Sequence, residues 1–345
     1  MSGKRQHFVP QFVQRGFASH TSGKDVFTWV YRNDKTPFNT NIKNVGIEGG
    51  FYSRDGNQQV DDYITDAEGR LSLLIGAMRS TSDGAFADTR GAAELVAHLE
   101  ARSRHLRQNF VHIGSVAFEQ ILQFISNEET FVPYMLRRME QDPSMLHSAI
   151  EEDLRKRGLP ITMAPLLLRL SKPLLSAIVP KTTADFAKIA SALRSQLPTI
   201  VQTAAKSGQL GALKEAIAPP LKVQHYRQFS YEVFNVAGQR LPLGDSMVLF
   251  HIEGDRGFRS FTQADETVLA IYLPISSTQV LVGKRGAYTP ALSLLPDAIA
   301  KCSLEHFVAD RRAPELEALQ AQLGKSASIL SQAEIESLLM GAFDG

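Results

Sequence analysis

Three polar residues near the start of the chain, His7, Gln11 and Arg15, recur at a spacing of four. On a helix, residues four apart lie along one face. An imidazole, an amide and a guanidinium on one face can bind a phosphate or a carboxylate. Alternatively, these side chains hydrogen-bond buried backbone and hold the N-terminus in place. The spacing therefore predicts either an anion site or a structural anchor.

The densest basic cluster of the chain lies between residues 101 and 112 and includes Arg104, Arg107 and His112. Arg107 and His112 resemble the Arg-x-x-x-x-His pattern of the all-helical HEPN ribonucleases. That resemblance implies RNA cleavage without metal, with histidine as acid or base and arginine stabilising charge on the phosphate. The other interpretations are a solvated or ion-paired face and a surface that contacts nucleic acid. The strands expected elsewhere in the chain fit an all-helical fold poorly.

Carboxylates form a third group of candidate residues, with Asp61, Asp62 and Glu68 near one another and Asp245 far along the chain. Carboxylates from distant segments can hold Mg²⁺ in a nuclease. Asp61 and Asp62 also suit the first turn of a helix, where they offset the helix dipole. Asp245 precedes a predicted strand, where turn formation alone can explain it. The sequence therefore leaves the cofactor unknown, with magnesium as a candidate.

Composition limits the classes of protein that fit this chain of 345 residues. The formal net charge is +1, so binding to nucleic acid would need a local basic patch rather than a global field. Cys302 is the single cysteine, which excludes an intrachain disulfide and a zinc site built on cysteines. It can act as a nucleophile or as a small buried apolar residue. With no apolar leader and no apolar run that could span a bilayer, we expect a cytoplasmic protein.

Hydrophobic periodicity predicts an α+β fold, with strands from the N-terminal and C-terminal parts packed with a helical middle region. We expect strands at 26–31, 223–234, 246–253, 267–273 and 279–283. We expect helices at 60–78, 92–125 with a break near Gly114, and 296–308, and short helices separated by prolines over 126–220. The predicted domains are a discontinuous α+β domain (1–125 and 221–310), a helical insert (126–220) and C-terminal helices with a tail (311–345).

Three segments together resemble a bacterial family known as domain of unknown function 4238, over roughly residues 1–310. The first is the opening run from Gln6 to Phe17, with its His-Phe-Val-Pro start. The second runs from Asn44 to Tyr52 and precedes a helix that carries Glu68. The third joins residues 243–248 to residues 272–276. In the family this segment usually reads Ser-Asp-Asn-Pro, and only Asp245 of that quartet is present. The resemblance implies an architecture and no reaction.

The C-terminal tail has the pattern of a short amphipathic helix over residues 328–341, with Ser331 and Glu334 spaced as a capping box. This stretch is similar to the N-terminal peptide of the flagellar motor switch protein FliM, which docks on the response regulator CheY. The similarity implies a protein partner for residues 328–341. The alternative is a terminal helix that packs on its own domain.

Two functional hypotheses follow. The first is a phosphate-handling hydrolase, foremost a nuclease, that works by general acid–base chemistry on nucleic acid. Its catalytic candidates are His7, Arg15, Arg107, His112 and Asp245, and its binding candidates are Gln11, Arg104 and Glu68. The second is a non-enzymatic binding or regulatory module, for instance of a defence or toxin system, in which these residues are structural. The first hypothesis requires residues 1–20, 100–112 and those around 245 to converge in one cleft.

Overall fold

The computed structural model describes residues 6–33, 35–49, 59–171, 175–215, 218–263, 266–328, 330 and 333–337. The expected Phe51-Tyr52 segment and most of the 328–341 helix lie outside these residues, as do the side chains of Asp61 and Asp62. Contacts divide the chain into two compact units. Unit 1 comprises 1–111 and 204–331, and unit 2 comprises 112–203 and 332–345. No helix in the described ranges has the length and apolar character needed to cross a membrane.

The described helices are α1 (Gln11–Gln14), α2 (Gln59–Arg79), α3 (Thr89–Arg102), α4 (Arg104–Ser126), α5 (Glu128–Gln141), α6 (Pro143–Lys156), α7 (Ala164–Ser171), α8 (Leu175–Glu215), α9 (Pro220–Tyr226), α10 (Leu295–Cys302) and α11 (Pro314–Gln320). The described strands are β1 (Gln6–His7), β2 (His20–Ser22), β3 (Asp25–Arg32), β4 (Lys35–Asn41), β5 (Ile47–Glu48), β6 (Ala85–Phe86), β7 (Ser230–Asn235), β8 (Leu243–Gly244), β9 (Leu249–Ile252), β10 (Gly257–Arg259), β11 (Val268–Ser276), β12 (Gln279–Lys284) and β13 (His306–Ala309). The fold is therefore α+β with a helical middle, as the sequence predicted.

The strands of unit 1 form three antiparallel sheets that mix both ends of the chain. A six-stranded sheet has the order β10-β9-β11-β12-β7-β6. A second sheet has the order β2-β3-β13-β8, with β4 also paired to β3. A two-stranded sheet pairs β1 with β5 and places Gln6 opposite Glu48. Strands from residues 6–48 and 243–309 thus share one unit, which positions the polar residues of both regions together.

The opening motif supplies apolar side chains to the core of unit 1. Phe8, Phe12 and Phe17 are buried in one cluster with residues of α2, α3 and β11. Pro10 is the N-cap of α1, and its φ of −61° is already that of a helix. The aromatic residues of this motif are therefore core residues.

The predicted break at Gly114 is wrong, because the helix is interrupted at Ser103 instead. Ser103 has an extended ψ of 129° between α3 and α4. Its Oγ accepts a hydrogen bond from the backbone N–H of Leu106 at 3.3 Å, as an N-cap does. Gly114 lies inside α4, where an added Cβ would come within 2.9 Å of Val201. Gly114 therefore allows close packing inside the helix and does not break it.

Two other expectations about helices are corrected. The prolines of the middle region do not all end helices, since α8 runs through Pro180 and Pro198. Leu197 and Val201 flank Pro198 and are buried, so packing offsets the hydrogen bond that a proline removes. The helix predicted over 296–308 ends at Cys302, and His306–Ala309 form β13 between β3 and β8.

The strand predicted over 223–234 is also only partly present. Residues 220–226 form α9, and the strand β7 begins at Ser230. Pro220 occupies the first turn of α9, where the missing N–H of a proline does no harm. The prediction treated the double proline as the end of a helical region, whereas Pro220 begins another helix.

Candidate functional site

Arg104, in the first turn of α4, joins three segments of unit 1. Its Nη1 lies 2.8 Å from Oε2 of Glu305, which precedes β13. Its Nε lies 3.3 Å from Oε2 of Glu48 on β5. The guanidinium carbon is 5.7 Å from the centre of the Phe8 ring, a cation–π distance. The N-terminal motif, the basic cluster and the C-terminal sheet region thus converge at Arg104.

Arg107 lies one turn further along α4 and also pairs with Glu48. Its side chain is largely buried, whereas that of Glu48 is about a third exposed (29%). Two guanidinium groups therefore share the Glu48 carboxylate. This arrangement agrees with the expectation of an ion-paired basic face, and it fixes α4 against β5.

Asp245 follows β8 and is buried, with 4% of its surface exposed. Its Oδ1 accepts the backbone N–H of Leu304 at 2.8 Å, and its Oδ2 accepts that of Glu305 at 2.8 Å. The backbone N–H of His306 also points to Oδ2, at 3.3 Å. One carboxylate therefore holds the loop that carries Glu305 and His306, which satisfies three backbone donors.

The turn that carries Asp245 is conformationally unusual. Met247 has a φ of 62°, a left-handed conformation that methionine rarely adopts. Its N–H donates to the carbonyl of Gly244 at 3.0 Å, and its side chain is buried. Backbone strain of this kind persists only where the surroundings impose it, and it is frequent at functional sites.

His306 is the side chain that Asp245 positions. Its Nδ1 lies 3.6 Å from Oδ2 of Asp245, longer than a hydrogen bond, so the carboxylate acts on the ring through its charge. The edge of Phe8 meets the ring at a centroid distance of 6.4 Å. Burial lowers the pKa of His306, and the charge of Asp245 partly opposes that shift. The ring is therefore neutral at neutral pH and can accept a proton.

A second buried histidine, His105, lies next to Arg104 on α4. Its ring nitrogens are 3.2 Å from Oγ of Ser260, and Nδ2 of Asn109 is 3.4 Å from its Nε2. Burial lowers the pKa of His105 as well, and the charge of Asp245 opposes the shift. Asp245 thus influences two histidines of unit 1, and one of them, His306, lines a pocket.

The pocket beside His306 has a volume of about 300 Å³. Its walls combine apolar side chains with a few polar groups. The lining residues are Phe8, Val30, Arg32, Phe38, Thr40, Asn44, Val45, Gly46, Ile47, Arg104, Glu305 and His306. Ligand sites typically have this volume and this mixture of residues. Two guanidinium groups, one carboxylate and one neutral imidazole make it a candidate site for an anion that reacts by proton transfer.

The polar residues of the opening motif do not form one helical face. His7 belongs to β1, and only Gln11–Gln14 form the helix α1. Gln14 rather than Gln11 makes the structural hydrogen bonds, since its Nε2 donates to the carbonyls of Val9 and Val45. The expected four-residue stacking of His7, Gln11 and Arg15 is absent, because a strand precedes the proline.

Glu68 and the main chain of His7 meet at Arg102, the last residue of α3. Arg102 is buried, pairs with Glu68 and donates from its Nε to the carbonyl oxygen of His7 at 3.0 Å. These contacts fasten β1 to α2 and α3. The structure therefore gives Glu68 an ion-pair partner and brings the backbone of His7, beside Phe8, to the same region as Arg104.

Two catalytic candidates lie elsewhere. Arg15 is exposed, and its charge acts on Arg79, whose guanidinium binds the carbonyls of Phe12, Val13 and Ile275. His112 is exposed on α4 and belongs to unit 2. Among the described residues of unit 1, no hydrogen bond or ion pair joins Arg15 to the pocket. Two of the catalytic candidates do lie close to the pocket. Asp245 lies next to His306, which lines the pocket, and Arg107 pairs with Glu48, which also contacts the pocket-lining Arg104.

Metal ligation was the third hypothesis for the carboxylates. In the part of the chain that the structure describes, no three His, Cys, Asp or Glu side chains are grouped so as to hold a metal ion. Asp245 is occupied by backbone donors and Glu68 by Arg102. The requirement for magnesium stays a question for experiment.

Sequence reasoning missed Arg32, Glu48, Glu305 and His306. Arg32 lies on β3 and Glu48 on β5, whereas Glu305 precedes β13 and His306 begins it, more than 250 residues further along the chain. His306 fell within a predicted helix, so its side chain could not be assigned to a sheet. Among the candidates from the sequence, Asp245 pointed to this region, because its carboxylate binds the loop that carries Glu305 and His306.

Comparison with known proteins gives a family and no further relatives. Residues 5–197 match a family described as "Protein of unknown function (DUF4238)". Neither the search of curated proteins nor that of solved structures found a match. The match covers more than half of the 345 residues and includes the opening motif, Glu68 and the Arg104 cluster. The chain therefore belongs to the DUF4238 family.

Proposed function

We propose that the protein is a phosphate-handling hydrolase, foremost a nuclease, and that the pocket beside His306 is its active site. The observation that carries the proposal is the placement of His306, whose Nδ1 lies 3.6 Å from Asp245 and whose ring lines the same pocket as two arginines. The charge of a carboxylate beside a histidine stabilises the protonated form of the ring during proton transfer.

The role of each residue follows from its charge and position. With Nδ1 towards Asp245, Nε2 of His306 takes the proton of the attacking hydroxyl or water and returns it to the leaving oxygen. Arg32 and Arg104 stabilise the negative charge that builds on the phosphorus oxygens. Arg107 is a positioning residue, because it holds Glu48, which in turn contacts Arg104.

The lowered pKa of His306 supports the role of base. A histidine that burial keeps neutral is ready to accept a proton at neutral pH, whereas a protonated one could only donate. The adjacent carboxylate limits this effect, so the ring can still become protonated as the reaction proceeds.

The test is cleavage of end-labelled single-stranded RNA and DNA by the purified full-length protein, with Mg²⁺ and with a chelator. We expect cleavage that His306→Asn lowers by at least about 100-fold, the contribution of a general base. Arg32→Gln should lower it by about 10-fold or more. Cleavage that persists in the presence of chelator would favour the histidine mechanism. Cleavage that is lost with chelator would mean that a metal ion takes part in the reaction.

A matched control is His20→Asn. His20 is an exposed histidine of β2 that does not line the pocket, and its ring stacks on Phe27 at 4.7 Å. The His20→Asn variant should cleave RNA and DNA at the wild-type rate. Equal activity of the His306 and His20 variants, each shown to be folded by circular dichroism, would refute the proposal.

A binding module without turnover is the second candidate, and one observation favours it. The polar groups around the pocket already have structural partners, with Asp245 on three backbone donors and Arg104 between Glu48 and Glu305. Under this proposal the pocket binds an anion as a signal. Saturable binding of an oligonucleotide without cleavage would select it.

A further inference from the structure

A larger pocket lies elsewhere in unit 1, between the turn after β7 and the helix α11. Its volume is about 660 Å³, twice that of the pocket beside His306. Its apolar wall consists of Val236, Pro296, Leu316 and Leu319. A cavity of this size with an apolar wall accommodates a ligand of several hundred daltons.

Two arginines line this pocket and share one carboxylate. Nη1 of Arg240 lies 3.3 Å from Oδ2 of Asp310, and Nε of Arg311 lies 3.8 Å from its Oδ1. The distance from Arg311 is too long for a hydrogen bond. Within the described residues the Arg311 guanidinium therefore donates no hydrogen bond, although its side chain is about half exposed (48%). An anion in the pocket would compete at Arg311 with this long ion pair to Asp310 and with no hydrogen bond among the described residues.

The turn beside Arg240 contributes backbone donors. Gly238 has a φ of 77°, and Gly238, Gln239 and Arg240 all line the pocket. In the described part of the chain, the backbone N–H groups of Gly238 and Arg240 make no hydrogen bond to a backbone acceptor. Backbone N–H groups in such a turn, next to guanidinium groups, provide the donors that a phosphate needs.

The remaining polar groups fit a body that carries hydroxyl or amino groups. The carboxylate of Glu315 lines the pocket and is an acceptor for two donors. The amide of Gln239 donates to the carbonyl of Leu292 at 2.9 Å, which leaves its oxygen as an acceptor. A nucleotide offers a phosphate for the arginines, ribose hydroxyl groups for the acceptors and a base for the apolar wall.

We propose that this pocket is a second binding site, specific for a nucleoside monophosphate. It shares no lining residue with the pocket beside His306. The proposal is therefore independent of the hydrolase and would hold for a binding module as well.

The test is isothermal titration of the full-length protein with AMP, GMP, CMP and UMP, alongside the corresponding nucleosides and inorganic phosphate. We expect saturable binding of at least one monophosphate, with the nucleoside at least about 10-fold weaker because it lacks the charged group. Arg311→Gln should weaken binding about 10-fold.

Arg312→Gln is the matched control. Arg312 is the next residue, is equally exposed (46%) and pairs with Glu317 rather than lining the pocket. It should bind as the wild type does. His306→Asn should also bind normally, which separates this site from the proposed active site. Equal affinity for nucleoside and monophosphate, equal effects of the Arg311 and Arg312 variants, or no saturable binding at millimolar ligand would each overturn the proposal.

Discussion

Asp245 lies 3.6 Å from Nδ1 of His306 and at the same time binds the backbone N–H groups of residues 304–306. One buried carboxylate thus sets both the path of the loop and the electrostatic environment of the imidazole. Asp245 therefore contributes both to the stability of the fold and to the proposed chemistry of His306. The two contributions must be measured with different variants.

Asp245→Asn should lower the free energy of unfolding by about 2–3 kcal/mol. The amide keeps one acceptor but turns an N–H₂ group towards backbone donors that then lack a partner. Urea denaturation followed by circular dichroism measures the change. Asp297→Asn is the control, since Asp297 is half exposed and pairs with Lys301 on its own helix. Equal unfolding free energies for the two variants would show that the three backbone contacts contribute little.

The free energy of unfolding should fall as the pH drops below the ordinary histidine value of 6.5. Burial lowers the pKa of His306 and of His105, so the unfolded chain binds protons more readily than the folded chain does. The stabilisation is complete above 6.5 and is lost between that pH and the lowered folded values. Urea midpoints from about pH 7.5 to about pH 5.5 follow the window in which histidine titrates.

His306→Asn should reduce the steepness of that loss, because it removes one of the described histidines whose pKa burial lowers, the others being His105, His225 and His251. His20→Asn, at an exposed site, should leave the slope as in the wild type. A slope that is the same in all three proteins would mean that His306 does not carry the pH dependence.

Arg102→Met should lower the free energy of unfolding by about 2–4 kcal/mol. The substitution leaves Glu68 and the carbonyl of His7 without their donor. The effect is smaller than for a fully buried pair because the Glu68 side chain is 29% exposed. Arg90→Gln is the control on the same helix, since the Arg90 side chain is 76% exposed. A loss no greater than that of the control would show that β1 is held by its core residues alone.

Ile335→Ala should lower the free energy of unfolding by about 2–4 kcal/mol, because Ile335 is 2% exposed. Residues 333–337 are helical, and contacts assign 332–345 to unit 2. Ser337→Ala, at an exposed position, provides the comparison. An Ile335 variant as stable as the wild type would leave this residue available to a partner, as the likeness to FliM implies.

Much of the fold was readable from local patterns. The alternation of β3 and the helical spacing of α2 led directly to those elements, and the opening aromatic residues are core residues. The errors arose where tertiary contacts decide the outcome. Pro198 is kept inside α8 between buried neighbours, and β13 exists because β3 and β8 supply its partners.

The candidate site was predictable only in outline. The three segments that the hydrolase hypothesis required do converge, through Phe8, Arg104 and the loop that Asp245 holds. The histidine of the proposed active site, however, is not among the histidines that spacing singled out. His7 lies in a strand and His112 is exposed in unit 2, whereas His306 reaches the pocket through sheet pairing across more than two hundred residues.

The most direct test of the proposed active site is the rate of single-stranded RNA cleavage by His306→Asn compared with His20→Asn at neutral pH. Both substitutions remove one imidazole, and only His306 lines the pocket with Arg32 and Arg104. We predict that the His306 variant is at least about 100-fold slower, while the His20 variant equals the wild type. Equal rates in two folded variants would contradict the account and leave the pocket as a binding site.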